Sequence, residues 1–225
     1  MDDRRVYYSF HDIPSAGSGG PVRQRRGISF SRTELLHIGI AMAVLTVAFA
    51  FAFAPSPPTA HLSMVLGNLP LSFLAIATAF FCHELAHKYM GMRYGYWSEF
   101  RMYPQGLLFA LVLGVAVGIV FAAPGAVQIY GRPSREESGR ISAAGPAVNV
   151  VIALGFMMLW YATGGLVGTA ALFIAAINAF LAFFNLLPFG PMDGRKIFRW
   201  RKEIWGGLLA VSVALFGVSW FGIPF

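Results

Sequence analysis

The chain has 225 residues, 57% of them hydrophobic and only 12% charged, with a mean hydropathy of +0.64. Soluble domains run at about 25% charged and under half apolar, so this composition excludes a freely soluble enzyme, a disordered chain and a nucleic-acid-binding module; it reads as an integral membrane protein. The formal charge of +7 then reports topology before partners, and the single cysteine, Cys82, excludes an internal disulfide and a zinc ribbon built from CxxC pairs.

Residues 1–32 are polar and rich in Gly, Ser and Arg, and read as a flexible basic tail, solvated or resting on anionic lipid. Residues 33–225 read as a single integral-membrane domain with its core at 69–200, leaving little room for a further soluble domain. Apolar runs lie at about 34–54, 69–91, 107–123, 140–162, 166–188 and 204–222. A spanning helix needs about 17–25 residues. Five runs satisfy this comfortably, and the third only barely. The first run is too long for the apolar core of a signal peptide and is read as a retained helix.

The fold class is therefore an all-α polytopic membrane protein of five to six transmembrane helices. The 17 basic residues choose between five and six. Six precede the first run, none lies in 55–68 or 163–166, and five follow Pro191. If the third run enters and leaves by one face, all 17 fall on one side, as the positive-inside rule asks. This gives five spanning helices, a cytoplasmic N-terminus and a multi-pass protein of the cell membrane. The segment 100–130 is then expected as a re-entrant β-hairpin. Val112, Val115, Val117, Ile119, Val120 and Phe121 favour extended backbone, Gly114 and Gly118 can turn, and Val127–Tyr130 resumes a strand-like pattern. The rival is a sixth spanning helix, since Leu107–Leu111 are also good helix formers.

The second run carries His83-Glu84-Leu85-Ala86-His87. Residues four apart share a helix face, so both imidazoles can bind one metal while Glu84 serves as general base on a water. Ionisable groups in an apolar helix are costly and by default functional. A hydrolytic zinc site needs a third protein ligand and one open position. Asp193 lies just past the fifth run, and the expected topology brings it to the depth of His87. Pro188 and Pro191 interrupt the helix there, and Gly194 lets the backbone turn. The rival reading of Asp193 is the cap of a cytoplasmic loop. In Ala144-Gly145-Pro146-Ala147-Val148-Asn149, Gly145 permits close helix approach and Asn149 places an amide inside the membrane, a pattern that packing alone also produces. Cys82 points about 100° away from His83 on the helix and is not read as a ligand. Trp97, Trp200 and Trp205 read as interfacial anchors.

Together, His83–His87, Gly145–Asn149 and Asn185–Gly194 resemble the site-2 protease family, the intramembrane zinc metalloproteases, in which an HExxH helix is followed by GxxxN and NxxPxxxxDG helices. The resemblance spans roughly residues 69–200. It implies that His83, His87 and Asp193 bind one Zn2+, that Glu84 is the base, and that Gly145, Asn149 and Asn185 support the site near the substrate. It also implies membrane-inserted β-structure between the first two motif helices. The PDZ or CBS domains of many relatives find no room in this chain. The expected function is hydrolysis of peptide bonds within or near transmembrane segments of membrane-protein substrates. The alternatives are a metal-ion transporter and a non-catalytic scaffold that binds membrane helices. The expected partners are transmembrane substrates and the bilayer, with no nucleic acid.

Overall fold

A computed structural model describes residues 28–54, 61–120 and 124–222; most of the basic tail expected at 1–32 lies outside the described residues. Helix α1 (Arg32–Ala52) starts where Ser31 accepts a hydrogen bond from the Glu34 amide at 3.1 Å, the usual way to satisfy a free N–H at a helix start. Helix α2 (Leu62–Arg93) is continuous and contains a π-helical turn at Ala77–Phe81, directly before Cys82 and the HExxH residues. Strand β1 (Trp97–Met102), helix α3 (Pro104–Val117) and strand β2 (Gly125–Tyr130) follow. Helix α4 (Arg135–Ala162) opens on a capping box between Ser134 and Glu137. Helix α5 (Gly165–Asn185), the short α6 (Asp193–Trp200) and α7 (Lys202–Gly222) complete the chain.

Among the described residues, five helices are long and apolar enough to cross a membrane: α1, α2, α4, α5 and α7. The protein is a multi-pass membrane protein. Their outward faces carry large apolar side chains such as Leu36, Leu66, Met158, Val167 and Phe221, all exposed, which suits helices surrounded by lipid.

The third apolar run does not cross. β1 and β2 pair antiparallel with Met102 opposite Gly125 and Trp97 opposite Tyr130, so the chain between them returns to where it left. α3 has 14 residues, about 21 Å of helix against a hydrocarbon core of about 30 Å. The paired strands expected within 100–130 are present, with Val127–Tyr130 inside β2. The stretch from Val112 to Val117 is helical rather than extended. Tertiary contact decides this. A Cβ on Gly114 would lie 2.7 Å from the Ala48 carbonyl, so α3 rests directly on the backbone of α1 and keeps its Leu-rich helical start through Val117. It ends at Gly118, whose φ of +75° is readily available only to glycine.

Two apolar clusters hold the helices together. One joins Leu45, Ile76, Phe80, Phe100 and Leu107 from α1, α2, β1 and α3. The other joins Val150, Ala153, Ala179, Ala182 and Leu215 from α4, α5 and α7. The HExxH turn of α2 meets α4 at Gly145 and Asn149.

Candidate metal centre

His83, His87 and Asp193 converge. Their ligand atoms all lie within 4.8 Å of one another. His87 Nε2 is 3.0 Å from His83 Nε2 and 3.0 Å from Asp193 Oδ2, and His83 Nε2 is 3.4 Å from that same oxygen. Four ligands arranged tetrahedrally about zinc at about 2.0–2.1 Å stand about 3.3–3.4 Å apart. The three donors therefore already hold close to the spacing that one zinc ion requires.

The proton positions on both rings follow from their partners. Asn149 donates through Nδ2 to the Ala79 carbonyl at 2.9 Å and to Asn178 Oδ1 at 3.1 Å. Its Oδ1 is thus the acceptor facing His83 Nδ1 at 2.7 Å, and that nitrogen carries the hydrogen. His87 Nδ1 faces the Ile141 carbonyl at 2.8 Å, a group that only accepts. Both imidazoles therefore turn an unprotonated Nε2 toward the Asp193 carboxylate. Three lone pairs meeting in a buried site, with no donor among them, suit a cation and little else. With both rings neutral, Asp193 is the one side chain of the three that brings a negative charge to the cluster.

Local sequence builds this geometry. The π-helical turn at Ala77–Phe81 places an extra residue in α2, and the Ala79 carbonyl within it accepts from Asn149. Thr78 accepts from Asn178 Nδ2 at 3.1 Å, while that amide also donates to Ile174 on α5 at 3.0 Å. A chain of polar contacts thus runs from His83 through Asn149 and Asn178 back to α2. In α4, Pro146 has no N–H for the Ser142 carbonyl, and the neighbouring Ile141 carbonyl serves His87. Gly145 is where α4 lies against both imidazoles: a Cβ there would meet His87 Nε2 and stand 2.7 Å from His83 Cε1. Asp193 is the first residue of α6. A Cβ on its neighbour Gly194 would strike the Leu186 carbonyl and lie 2.6 Å from the Leu187 carbonyl, so the Asn185–Met192 loop folds tightly back. Trp205 Nε1 fixes the start of that loop by donating to Leu186 at 2.7 Å.

Glu84 stands beside the three ligands but outside their set, and its Oε2 accepts from the Val127 amide of β2 at 2.9 Å. Asn149 is fully buried and serves His83 directly. Asn185 ends α5 with its amide donating to Leu181 of its own helix at 3.0 Å. Cys82 is a free thiol and does not join the ligand group.

Several supporting groups were missed in the sequence. Asn178 had a signal, being an amide inside an apolar run. So did Glu34 and Lys88, opposite charges in two apolar runs, where a buried charge requires a partner. The Ile141 carbonyl and the Val127 amide had none, since backbone groups are placed by tertiary structure alone.

Over 155 residues the chain is 40% identical to "Putative zinc metalloprotease MJ0611" of Methanocaldococcus jannaschii, a match covering 67% of this chain and 81% of the relative. It is 30% identical over 156 residues to "Putative zinc metalloprotease YwhC" of Bacillus subtilis, covering 59% of this chain and 69% of the relative. No protein-family model and no solved structure matches it. At this identity and coverage, and with a His2Asp cluster built inside a bundle of membrane-length helices, the chain belongs to the family of zinc metalloproteases that these relatives represent.

Proposed function

We propose that this membrane metalloprotease is an intramembrane protease of the site-2 type, cleaving peptide bonds within or near transmembrane segments of membrane-protein substrates. The observation that carries the reading is the convergence of His83 Nε2, His87 Nε2 and Asp193 Oδ2 where α2, α4 and α6 meet. These three side chains would hold one zinc ion. When bound, zinc supplies Lewis acidity to a water and to the scissile carbonyl. Glu84, next to the ligands but not among them, accepts the proton of the attacking water and returns it to the leaving amine. Asn149 and Ile141 keep the two imidazoles oriented with Nε2 unprotonated. Gly145 leaves the rings the room they occupy.

A transmembrane helix shields its peptide groups in its own hydrogen bonds, so it must unwind locally before attack. β2 offers such a segment a backbone to pair with. Tyr103 N–H donates to Pro124 at 2.9 Å across the end of the sheet. The antiparallel alternation then points Gly125, Val127 and Ile129 away from β1. The Val127 amide, reaching Glu84, shows that this outer edge faces the site. The sheet has two strands, so among the described residues β2 has no further strand beside it. Substrate bound as an added strand would lie alongside Glu84. The distribution of basic residues supports a cytoplasmic N-terminus, with the site toward the cytoplasmic end of the helices.

The test combines metal analysis with one variant. Purified protein is expected to hold one zinc per chain. Glu84→Gln is expected to keep the zinc and to lose cleavage of a single-span membrane protein by about 10²–10⁴-fold, the range for a missing general base. Wild-type cleavage by Glu84→Gln would refute the mechanism, and retention of zinc alone without any cleavage by wild type would leave a transporter or scaffold as the better reading.

A further inference from the structure

Both edges of the small sheet meet a carboxylate, but differently: on β2 the Val127 amide alone is held, by Glu84, a single contact that an incoming strand can exchange, whereas on β1 an amide and a carbonyl are both held by a buried ion pair. Antiparallel alternation points Ser98, Phe100 and Met102 of β1 outward, away from β2. An ion pair lies along that edge. Lys88 Nζ donates to both carboxylate oxygens of Glu34 at 2.9 Å and to the Ser98 carbonyl at 2.7 Å. Glu34 Oε1 accepts from the Phe100 amide at 3.0 Å. The Phe100 carbonyl is taken as well, by the Arg101 guanidinium at 3.1 Å. Glu34 is 0% and Lys88 2% exposed. The Ser98 carbonyl and the Phe100 amide are the two groups that one residue of an added parallel strand would engage, with its own N–H and C=O. Lys88 supplies the N–H, and Glu34 supplies the acceptor. The pair thus stands in for a residue of a third strand. It ties the start of α1 and the residue after His87 to the same edge.

We propose that the Glu34–Lys88 pair is a specificity device: it closes β1 to strand addition and leaves β2, the edge facing Glu84, as the sheet's only docking edge for an unwound substrate. The proposal rests on the strand-addition reading above. An open sheet edge pairs with extended chain indiscriminately, and a segment paired to β1 would lie one strand further from Glu84 than one paired to β2. Sealing the far edge with charge inside an apolar bundle removes that unproductive mode. The pair does not touch substrate; it acts as a positioning element through β1.

Cross-linking tests this in liposomes, in a Cys82→Ser background, with a single-span protein that the chain cleaves and that carries single cysteines scanned through the cleaved segment. Trp97→Cys reports the β1 side and Gln128→Cys the β2 side. With Glu34 and Lys88 intact, disulfides are expected at Gln128→Cys alone. In Glu34→Gln/Lys88→Met, cross-links at Trp97→Cys are expected to appear and cleavage to fall tenfold or more with zinc content unchanged. Lys88→Arg, which keeps a cation that can donate to both Glu34 and Ser98, is expected to keep the wild-type pattern. A solely structural pair would change thermal stability and leave the cross-links on β2. The proposal is overturned if the intact pair already permits cross-links at Trp97→Cys, or if the double variant cleaves within twofold of wild type and stays confined to β2. If the double variant loses zinc or fold, Glu34→Gln alone, which removes the charge partner and keeps the shape of the side chain, is scored in its place by the same two criteria. Cleavage with cross-links at neither edge would instead remove strand addition itself, and the proposal with it.

Discussion

Gly145→Ala probes the metal centre through a single methyl group. The added Cβ would coincide with the space of His87 Nε2 and stand 2.7 Å from His83 Cε1. Non-bonded heavy atoms rest at about 3.5–4.0 Å, so the His83 ring must withdraw by about 0.8 Å or more, or α4 must move by as much. Ligand distances in working metal sites hold to about 0.2 Å. Neither ring can yield easily: His83 is held by Asn149 at 2.7 Å and His87 by Ile141 at 2.8 Å. Loss of an outer-shell partner alone weakens metal binding by about 10–100-fold. Direct displacement of both imidazoles should reach the upper end, about 100-fold or about 3 kcal/mol. Helix propensity works the other way, since Ala is favoured over Gly by about 0.8–1.0 kcal/mol in a helix interior. A loss of zinc is therefore not ascribable to a weaker α4. Competition of the purified protein against a graded chelator, with helicity followed by circular dichroism, measures the effect. A variant that keeps one zinc with a chelator midpoint within twofold of wild type would refute the packing argument.

Asn149→Ala is expected to weaken zinc by about 10–100-fold while leaving the ligands themselves in place, read by the same competition. Asp193→Ala removes the one carboxylate of the three grouped side chains and is expected to abolish stoichiometric zinc without loss of helical content. Orientation is checked by thiol labelling in a Cys82→Ser background: Ala60→Cys should react from outside and Arg199→Cys from the cytoplasm, and labelling of both from one face would overturn the assignment.

Much of the site was legible because its chemistry is local in sequence. The four-residue spacing of His83 and His87 survives any tertiary arrangement, and Asp193 was singled out by the interrupted helix before it. The re-entrant excursion was legible from charge counting, since all 17 basic residues fit one side only if the third run turns back. Its interior was not. Val112, Val115 and Val117 suggested strand, but backbone contact between Gly114 and Ala48 holds the stretch as helix, and intrinsic β preference is weaker than such packing. The motif marked Asn149 as a residue that supports the site, but its three partners, His83, α2 and α5, are set by tertiary structure and have no local sign in the sequence. The π-helical turn had no sequence mark at all, because nothing in Ala77-Thr-Ala-Phe-Phe81 differs in kind from the α-helical residues around it.

That turn has a consequence for how α2 tolerates change. One inserted residue rotates everything after it by about 100° relative to everything before. The half that packs on α1 and α5 and the half that carries His83 and His87 are therefore set to different angular phases. Deleting one residue within Ala77–Phe81 would restore a regular helix and swing the histidine pair by about a quarter turn away from α4 and Asp193, although every motif residue would remain in place. Among related chains, length through this turn should accordingly be as tightly kept as the histidines. Substitutions on the lipid face of the first half can drift freely, because they change neither the length of the turn nor the phase it sets for His83, seven residues beyond Ile76.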